Sequence, residues 1–208
     1  MIGALKDLLA RPAIFDAYQA MVGANYAKRV FVRDWVRPAK GDRVLDIGCG
    51  TGAVVPFLPD GLDITGIDIS DDYIAAARAR YGARAAFRVG DAADPAIDLG
   101  GGFDAAYAFG VFHHMPDTIA LRLFEGAMRR LRPGGRFISI DPTLIPGQSW
   151  ASRFFVVNDR GRYIRSPDEL RDLFGNHAPK LEVRTDLLRI PYAQALMAFE
   201  KPSAIARN

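Results

Sequence analysis

The 208-residue chain has a single cysteine, Cys49, which excludes an internal disulfide. That thiol and three histidines show no metal-ligand spacing, so no metal is expected. No apolar run approaches the ~18 residues that a bilayer requires, and no membrane span is expected. Lys6 and Asp7 interrupt the first apolar stretch, which denies it a secretory core and makes a cytoplasmic protein the expectation. No block of like charges occurs; the net charge of +3 is spread along the chain, mostly on arginine. Repeats, low-complexity tracts and long linkers are missing too. What is left is a globular composition, 50% hydrophobic and 25% charged, long enough for one domain with a large core.

Against that background Val44-Leu45-Asp46-Ile47-Gly48-Cys49-Gly50-Thr51-Gly52 stands out. Apolar residues, an acid and three alternate glycines sit where a buried strand must turn sharply. Glycine leaves no Cβ bulk, so a ligand can lie against bare backbone. A helix is expected to follow, short because of Pro56 and Pro59, with unpaired N–H groups at its start. Such a helix end could activate the Cys49 thiol; a small side chain that suits a tight turn is the simpler reading. The loop also satisfies the loose dinucleotide-binding pattern. The next strand, Leu62 to Asp68, ends in an acid about 20 residues on, placed to accept both hydroxyls of a ribose.

Three more segments decide between adenosine ligands. Val89-Gly90-Asp91-Ala92 puts an acid past a third strand. Phe103 to Phe109 is a fourth strand that opens on Gly110-Val111-Phe112-His113-His114. Leu131-Arg132-Pro133-Gly134-Gly135 leads a helix into a fifth strand, Arg136 to Ile140, which ends at Asp141-Pro142. Strands and helices alternate from Arg43 onward, which predicts an α/β fold with a parallel sheet and helices on both faces. The order and spacing of these motifs resemble the class I S-adenosylmethionine-dependent methyltransferases over Arg43 to Asp141. The resemblance implies a Rossmann-like, seven-stranded sheet of order 3-2-1-4-5-7-6 with the last strand antiparallel. Residues 43–208 would form that domain and residues 1–42 a helical cap.

The resemblance also implies S-adenosyl-L-methionine as co-substrate. The carbonyls of Gly48 and Phe109 would hold its amino group, with Cys49 and Gly50 lining the loop and Asp46 orienting the region. Asp68 would take the ribose, Ile69 the adenine face, and Asp91 with the Ala92 N–H the adenine edge. Tyr26 or Arg29 could reach the carboxylate. His114 and Asp141 are candidate general bases, with His113 a weaker one. Tyr18, Tyr26, Trp150, Phe154 and Tyr163 either pack the core or line an apolar acceptor pocket. The fourth strand ends in Ala108-Phe109-Gly110-Val111, unlike the Asn/Asp-Pro-Pro-Tyr signature of relatives that methylate nucleobases. The expectation is therefore a small-molecule acceptor with an apolar or aromatic body. Methylation of RNA or protein is the runner-up, prompted by Arg153, Arg160, Arg162, Arg165 and Arg171; a non-catalytic binding module is a further alternative. The acceptor atom and the oligomeric state stay open.

The remaining chain is read from caps and spacing. Helices are expected at Ile2 to Leu9, from Pro12 past a weak point at Gly23 to Val36, from Ser70, at Asp117 to Arg130, and at Gln148 to Val157. A Ser166 cap with Pro167 opens another, to about Phe174. Leu181 to Ile190 and Tyr192 to Glu200 are expected as the last two strands.

Overall fold

The computed structural model describes residues 12–158, 161–177 and 179–203. The expected helix at Ile2 to Leu9, Asp159 and Arg160, and the side chains of Phe15 and Tyr18 lie outside the described residues. Helix α1 (Pro12–Met21) breaks at Gly23, whose φ of 88° suits glycine, and α2 (Ala24–Val30) runs on into wider π-helical turns at Phe31–Val36.

The sheet contains β1 (Arg43–Ile47), β2 (Asp63–Asp68), β3 (Ala85–Val89), β4 (Phe103–Phe109), β5 (Leu131–Pro142), β6 (Lys180–Arg184) and β7 (Gln194–Glu200), in the order 3-2-1-4-5-7-6. The first five strands pair in parallel, and β7 runs antiparallel to both β5 and β6. Central strands β1 and β4 are buried on both faces, which is why they read as near-continuous apolar runs.

Helices cover both faces. Ala27, Val30, Phe31, Trp35 and Val36 pack with Ile74 of α3 (Asp71–Tyr81) on one side of the sheet. Phe124 of α4 (Asp117–Arg130) and Phe174 of α6 (Pro167–Phe174) fill the other, against Phe137 and Phe199. Between β5 and α6 lies α5 (Trp150–Val157), capped by the Ser149 hydroxyl. Ser70 caps α3, and Ser166 and Glu169 form a reciprocal capping box on α6. Among the described residues no helix is long and apolar enough to cross a membrane.

Three expectations are corrected. No α-helix follows β1: Gly48, Gly50 and Gly52 all have positive φ (66°, 53° and 74°), and only one 3₁₀ turn, Val55–Phe57, forms before Pro59. Pro133-Gly134-Gly135 does not precede the fifth strand but forms a bulge within it, since Leu131 pairs with Phe103 and Arg136 with Ala105. The sixth strand stops at Arg184. There the chain leaves the sheet, buries Leu187 in the core and donates the Arg189 N–H to the Val22 carbonyl at 2.9 Å.

Candidate functional site

The carboxyl ends of β1, β2, β3 and β4 lie side by side, so the residues just past them form one crevice edge. The glycine loop is stitched to β2: the Gly48 and Cys49 N–H groups both donate to the Ile67 carbonyl, at 2.8 and 3.0 Å. The Gly50 N–H donates to Asp68 Oδ2 at 2.9 Å, and Ser70 N–H to Asp68 Oδ1 at 2.9 Å. With no helix behind it and three N–H groups spent on β2, the loop is not an anion cradle. It offers carbonyls and bare Cα surface. A Cβ on Gly50 would meet nothing within 4 Å, whereas one on Gly48 would strike Val111 at 2.6 Å. Open space on one side and close packing on the other are what a ligand-facing loop requires.

The three acids have separate environments. Asp46 is buried, and its Oδ2 has no hydrogen-bond partner among the described residues. Burial pushes its carboxyl up to about 7; the nearby Tyr107 hydroxyl offsets this in part and the charge of Asp68 adds to it. That hydroxyl is itself buried without a hydrogen-bond partner in this geometry. Asp68 is half-buried at the end of β2, and beside it Ile69 is 74% exposed, an apolar side chain facing out of the crevice edge. Asp91 is exposed and spends one oxygen on the Ala93 N–H at 2.8 Å, a turn-capping bond that leaves a second oxygen for a ligand. Cys49 is buried and its thiol is pushed up, chiefly by burial, so it is a small packing residue and not a nucleophile.

The N-terminal helices supply a group that sequence reasoning missed. Tyr26 is exposed, and the Arg29 guanidinium lies over the Phe57 ring. Lys28 is the buried cation instead. It is 4% exposed and sits in no ion pair among the described residues, and its Nζ lies 6.0 Å from the centre of the Phe109 ring at the end of β4. Burial lowers it to about 8 against the opposing pull of Asp16. Asp16 in turn accepts from the Thr51 hydroxyl of the glycine loop at 2.8 Å and pairs with Arg80 of α3. The legible signal is position: Lys28 falls on the apolar face marked by Ala24, Ala27 and Phe31.

At the ends of β4 and β5 the structure joins Asp141 to His113, not to His114. Asp141 Oδ1 lies 2.8 Å from His113 Nδ1 and accepts the His113 main-chain N–H at 3.1 Å; both side chains are buried. Its Oδ2 is buried with no hydrogen-bond partner among the described residues. His114 is exposed, with its ring centre 4.0 Å from that of His113. His113 is the histidine that meets Asp141, because the 3₁₀ turn Phe112–His114 aims the first histidine inward. Arg165 also leaves the expected arginine face: it is buried and hydrogen-bonded to three carbonyls and Asp117. Trp150 (83% exposed), Phe154 (57%) and Tyr163 are not core residues. A groove of about 320 Å³ between Gly23–Tyr26 and residues 186–189 shares no lining residue with the crevice. Among the described residues no cluster of three metal-ligating side chains occurs.

A family model described as a methyltransferase domain matches residues 44–135, the span from β1 to the bulge of β5. Over that span the chain resembles the class I S-adenosylmethionine-dependent methyltransferases. It is 40% identical over 114 residues to a 27-O-demethylrifamycin SV methyltransferase of Amycolatopsis mediterranei, covering 51% of this chain and 40% of that protein. It is 35% identical over 184 residues to ribosomal RNA large subunit methyltransferase G of Streptomyces coelicolor, covering 82% of this chain and 42% of that one. The chain therefore spans less than half the length of these curated relatives. Its fold matches a Haemonchus contortus phosphoethanolamine N-methyltransferase solved with phosphomonomethylethanolamine and S-adenosylhomocysteine: TM-score 0.71, 20% identity, 95% of this chain and 60% of that one.

Proposed function

We propose that this chain transfers a methyl group from S-adenosyl-L-methionine to a hydroxyl oxygen of a small molecule with an apolar or aromatic body. The observation that carries this reading is the buried His113–Asp141 pair at the ends of β4 and β5. A carboxylate only accepts hydrogen bonds, so it fixes the imidazole proton on Nδ1, the tautomer in which Nε2 carries the lone pair that a base needs. A hydroxyl acceptor gains from such a base, typically ~10²–10⁴-fold.

The crevice fits the donor on its own features: an orphaned buried carboxylate oxygen on Asp46, a buried ammonium on Lys28 outside any ion pair among the described residues, open space over Gly50 and an uncovered Ile69. In this reading Lys28 holds the donor's carboxylate, and the carbonyls of Gly48 and Phe109 hold its amino group with Asp46 behind them. Asp68 accepts from the ribose hydroxyls. Ile69 covers the adenine face, and Asp91 with the Ala92 N–H meets the adenine edge. When bound, the donor supplies a methyl already activated by a sulfonium. The protein's work is then alignment and exclusion of water, worth about 7–11 kcal/mol. His113 takes the acceptor's proton at Nε2, and Asp141 stabilises the imidazolium that forms. Residues 1–42 act as a helical cap on the domain of residues 43–208, and the exposed Trp150 and Phe154 of α5 offer the acceptor an apolar wall.

Radiolabelled methyl transfer to a panel of phenols and alcohols, of amines, and of total RNA tests this. Labelled hydroxyl acceptors, with turnover lost in His113→Gln, are expected. Transfer to amines alone, or undiminished turnover in His113→Gln, refutes it. A second reading, RNA methylation, is favoured by one observation: the similarity to the ribosomal RNA enzyme covers 82% of this chain. Salt-sensitive RNA binding would support it.

A further inference from the structure

We infer that Arg165 is a positioning residue for the His113–Asp141 pair, an assignment that rests on the reading of His113 as the base. The turn bearing His113 has no helix of its own to hold it. It spans Phe112–His114 between the last residue of β4 and α4. Arg165 holds it from both ends. Its guanidinium donates to the Phe112 carbonyl at 3.0 Å, one residue before His113, and to the Met115 carbonyl at 2.8 Å, two residues after. A further bond reaches the Tyr163 carbonyl at 3.1 Å, and the Asp117 carboxylate pairs with the guanidinium at 2.7 and 2.8 Å.

The same residue is tied to the other member of the pair. The Arg165 carbonyl accepts from the Thr143 hydroxyl at 2.8 Å, and the two residues form an isolated β-bridge just past Asp141. The Tyr163 N–H donates to the His113 carbonyl at 3.0 Å. Gly161 packs close against the imidazole: a Cβ there would stand 2.0 Å from His113 Cδ2 and 2.5 Å from its carbonyl oxygen. One strap, residues 161–165, therefore packs against the His113 ring, while Arg165 fixes the main chain on either side of it. A planar fork that reaches several carbonyls at once is a task for arginine that lysine's point charge cannot repeat. The geometry needed between a base and its orienting carboxylate is narrow, which is why so much bonding converges on one turn.

The test uses nitrogen-labelled protein and the imidazole proton on His113 Nδ1, which a buried bond to carboxylate shifts far downfield in the NMR spectrum. His113→Gln assigns the signal, and its turnover with the best phenol of the panel tests the base itself. Arg165→Met and Arg165→Lys are expected to lose or broaden that signal and to lower kcat at least ~10-fold, with the dissociation constant for S-adenosylhomocysteine changed less than twofold. Gly161→Ala, which leaves the guanidinium bonds in place but pushes the ring, should do the same and guards against an Arg165 variant that fails to fold. An unchanged His113 signal in folded Arg165 and Gly161 variants overturns the inference. So does a lost signal with intact turnover while His113→Gln is inactive. Intact turnover in His113→Gln instead overturns the base assignment, a distinguishable result.

Discussion

Binding of the donor should exchange protons with solvent, with opposite signs on the two sides of neutrality. Near pH 6 the buried Asp46 carboxyl, raised to about 7, is ~90% protonated. A cationic ligand beside it favours the carboxylate. Unit charges ~4 Å apart at an effective dielectric of ~20 interact by about 4 kcal/mol, enough to move the group about three pH units. Binding at that pH should therefore release up to ~0.9 proton. Near pH 8.5 Asp46 is already ionised, whereas Lys28, held at about 8, is ~75% neutral. A bound carboxylate favours its ammonium, so binding should take up ~0.7 proton. Calorimetry of S-adenosylmethionine binding in buffers of different ionisation enthalpy gives the proton count as a slope. The donor's own amino group also titrates, so each residue is read as wild type minus Asp46→Asn or Lys28→Met. If both differences are near zero, or if Asp46 and Lys28 give the same sign, the assignment of these two groups to the donor's ends is wrong.

Lys28→Met should weaken donor binding ~10–100-fold by calorimetry and at the same time raise Tm at neutral pH, a combination that simple damage to the core cannot give. Asp68→Ala removes the proposed ribose acceptor and the anchor of the Gly50 and Ser70 N–H groups, so donor affinity should fall at least ~10-fold; unchanged affinity refutes the ribose assignment. In Gly66→Ala the new Cβ would stand 2.7 Å from Phe87 and 3.0 Å from Cys49, and denaturant unfolding should show a loss of about 1–3 kcal/mol. Ser166→Ala breaks the capping box of α6 and should cost about 1 kcal/mol in the same assay.

Much of the frame is legible because its signals are local. Val44 to Ile47 and Phe103 to Phe109 are apolar on both faces, and that composition has few homes other than the middle of a parallel sheet. The cap at Ser166 and the break at Gly23 are backbone chemistry written in one or two residues. The loop after β1 escapes such reading because a helix is the usual source of N–H groups at that place; the glycines turn the chain back onto Ile67 and Asp68 instead. His113 and His114 are adjacent and chemically alike, so only the direction of one 3₁₀ turn decides which meets Asp141. Lys28 and Arg165 stay hidden for a related reason. Basic residues are usually solvated, and the partners that bury Arg165 come from segments about 50 residues earlier in the chain.

Lys28 and Asp46 together explain why the crevice is energetically unfinished on its own. Each tenfold change in an ionisation constant is worth ~1.4 kcal/mol, so lowering Lys28 from 10.5 to about 8 costs its charged form about 3 kcal/mol at neutral pH. That cost is present below about pH 8 and is relieved as pH rises toward 10.5, because there the folded chain holds fewer protons than the unfolded one. Asp46 works the other way: its stabilising, protonated state is lost as pH rises through about 7, and above that the fold carries a penalty on the order of 4 kcal/mol. Neither charge pairs with the other, and neither has an ion-pair partner among the described residues. A fold under selection for stability alone would replace both with apolar residues of similar volume. Their presence makes sense if a ligand carrying a carboxylate at one point and positive charge at another completes them. The double variant Lys28→Met, Asp46→Asn should accordingly be the more stable protein above pH 7 and the poorer binder of S-adenosylmethionine, and a double variant that is less stable there would show that these charges serve the core rather than the site.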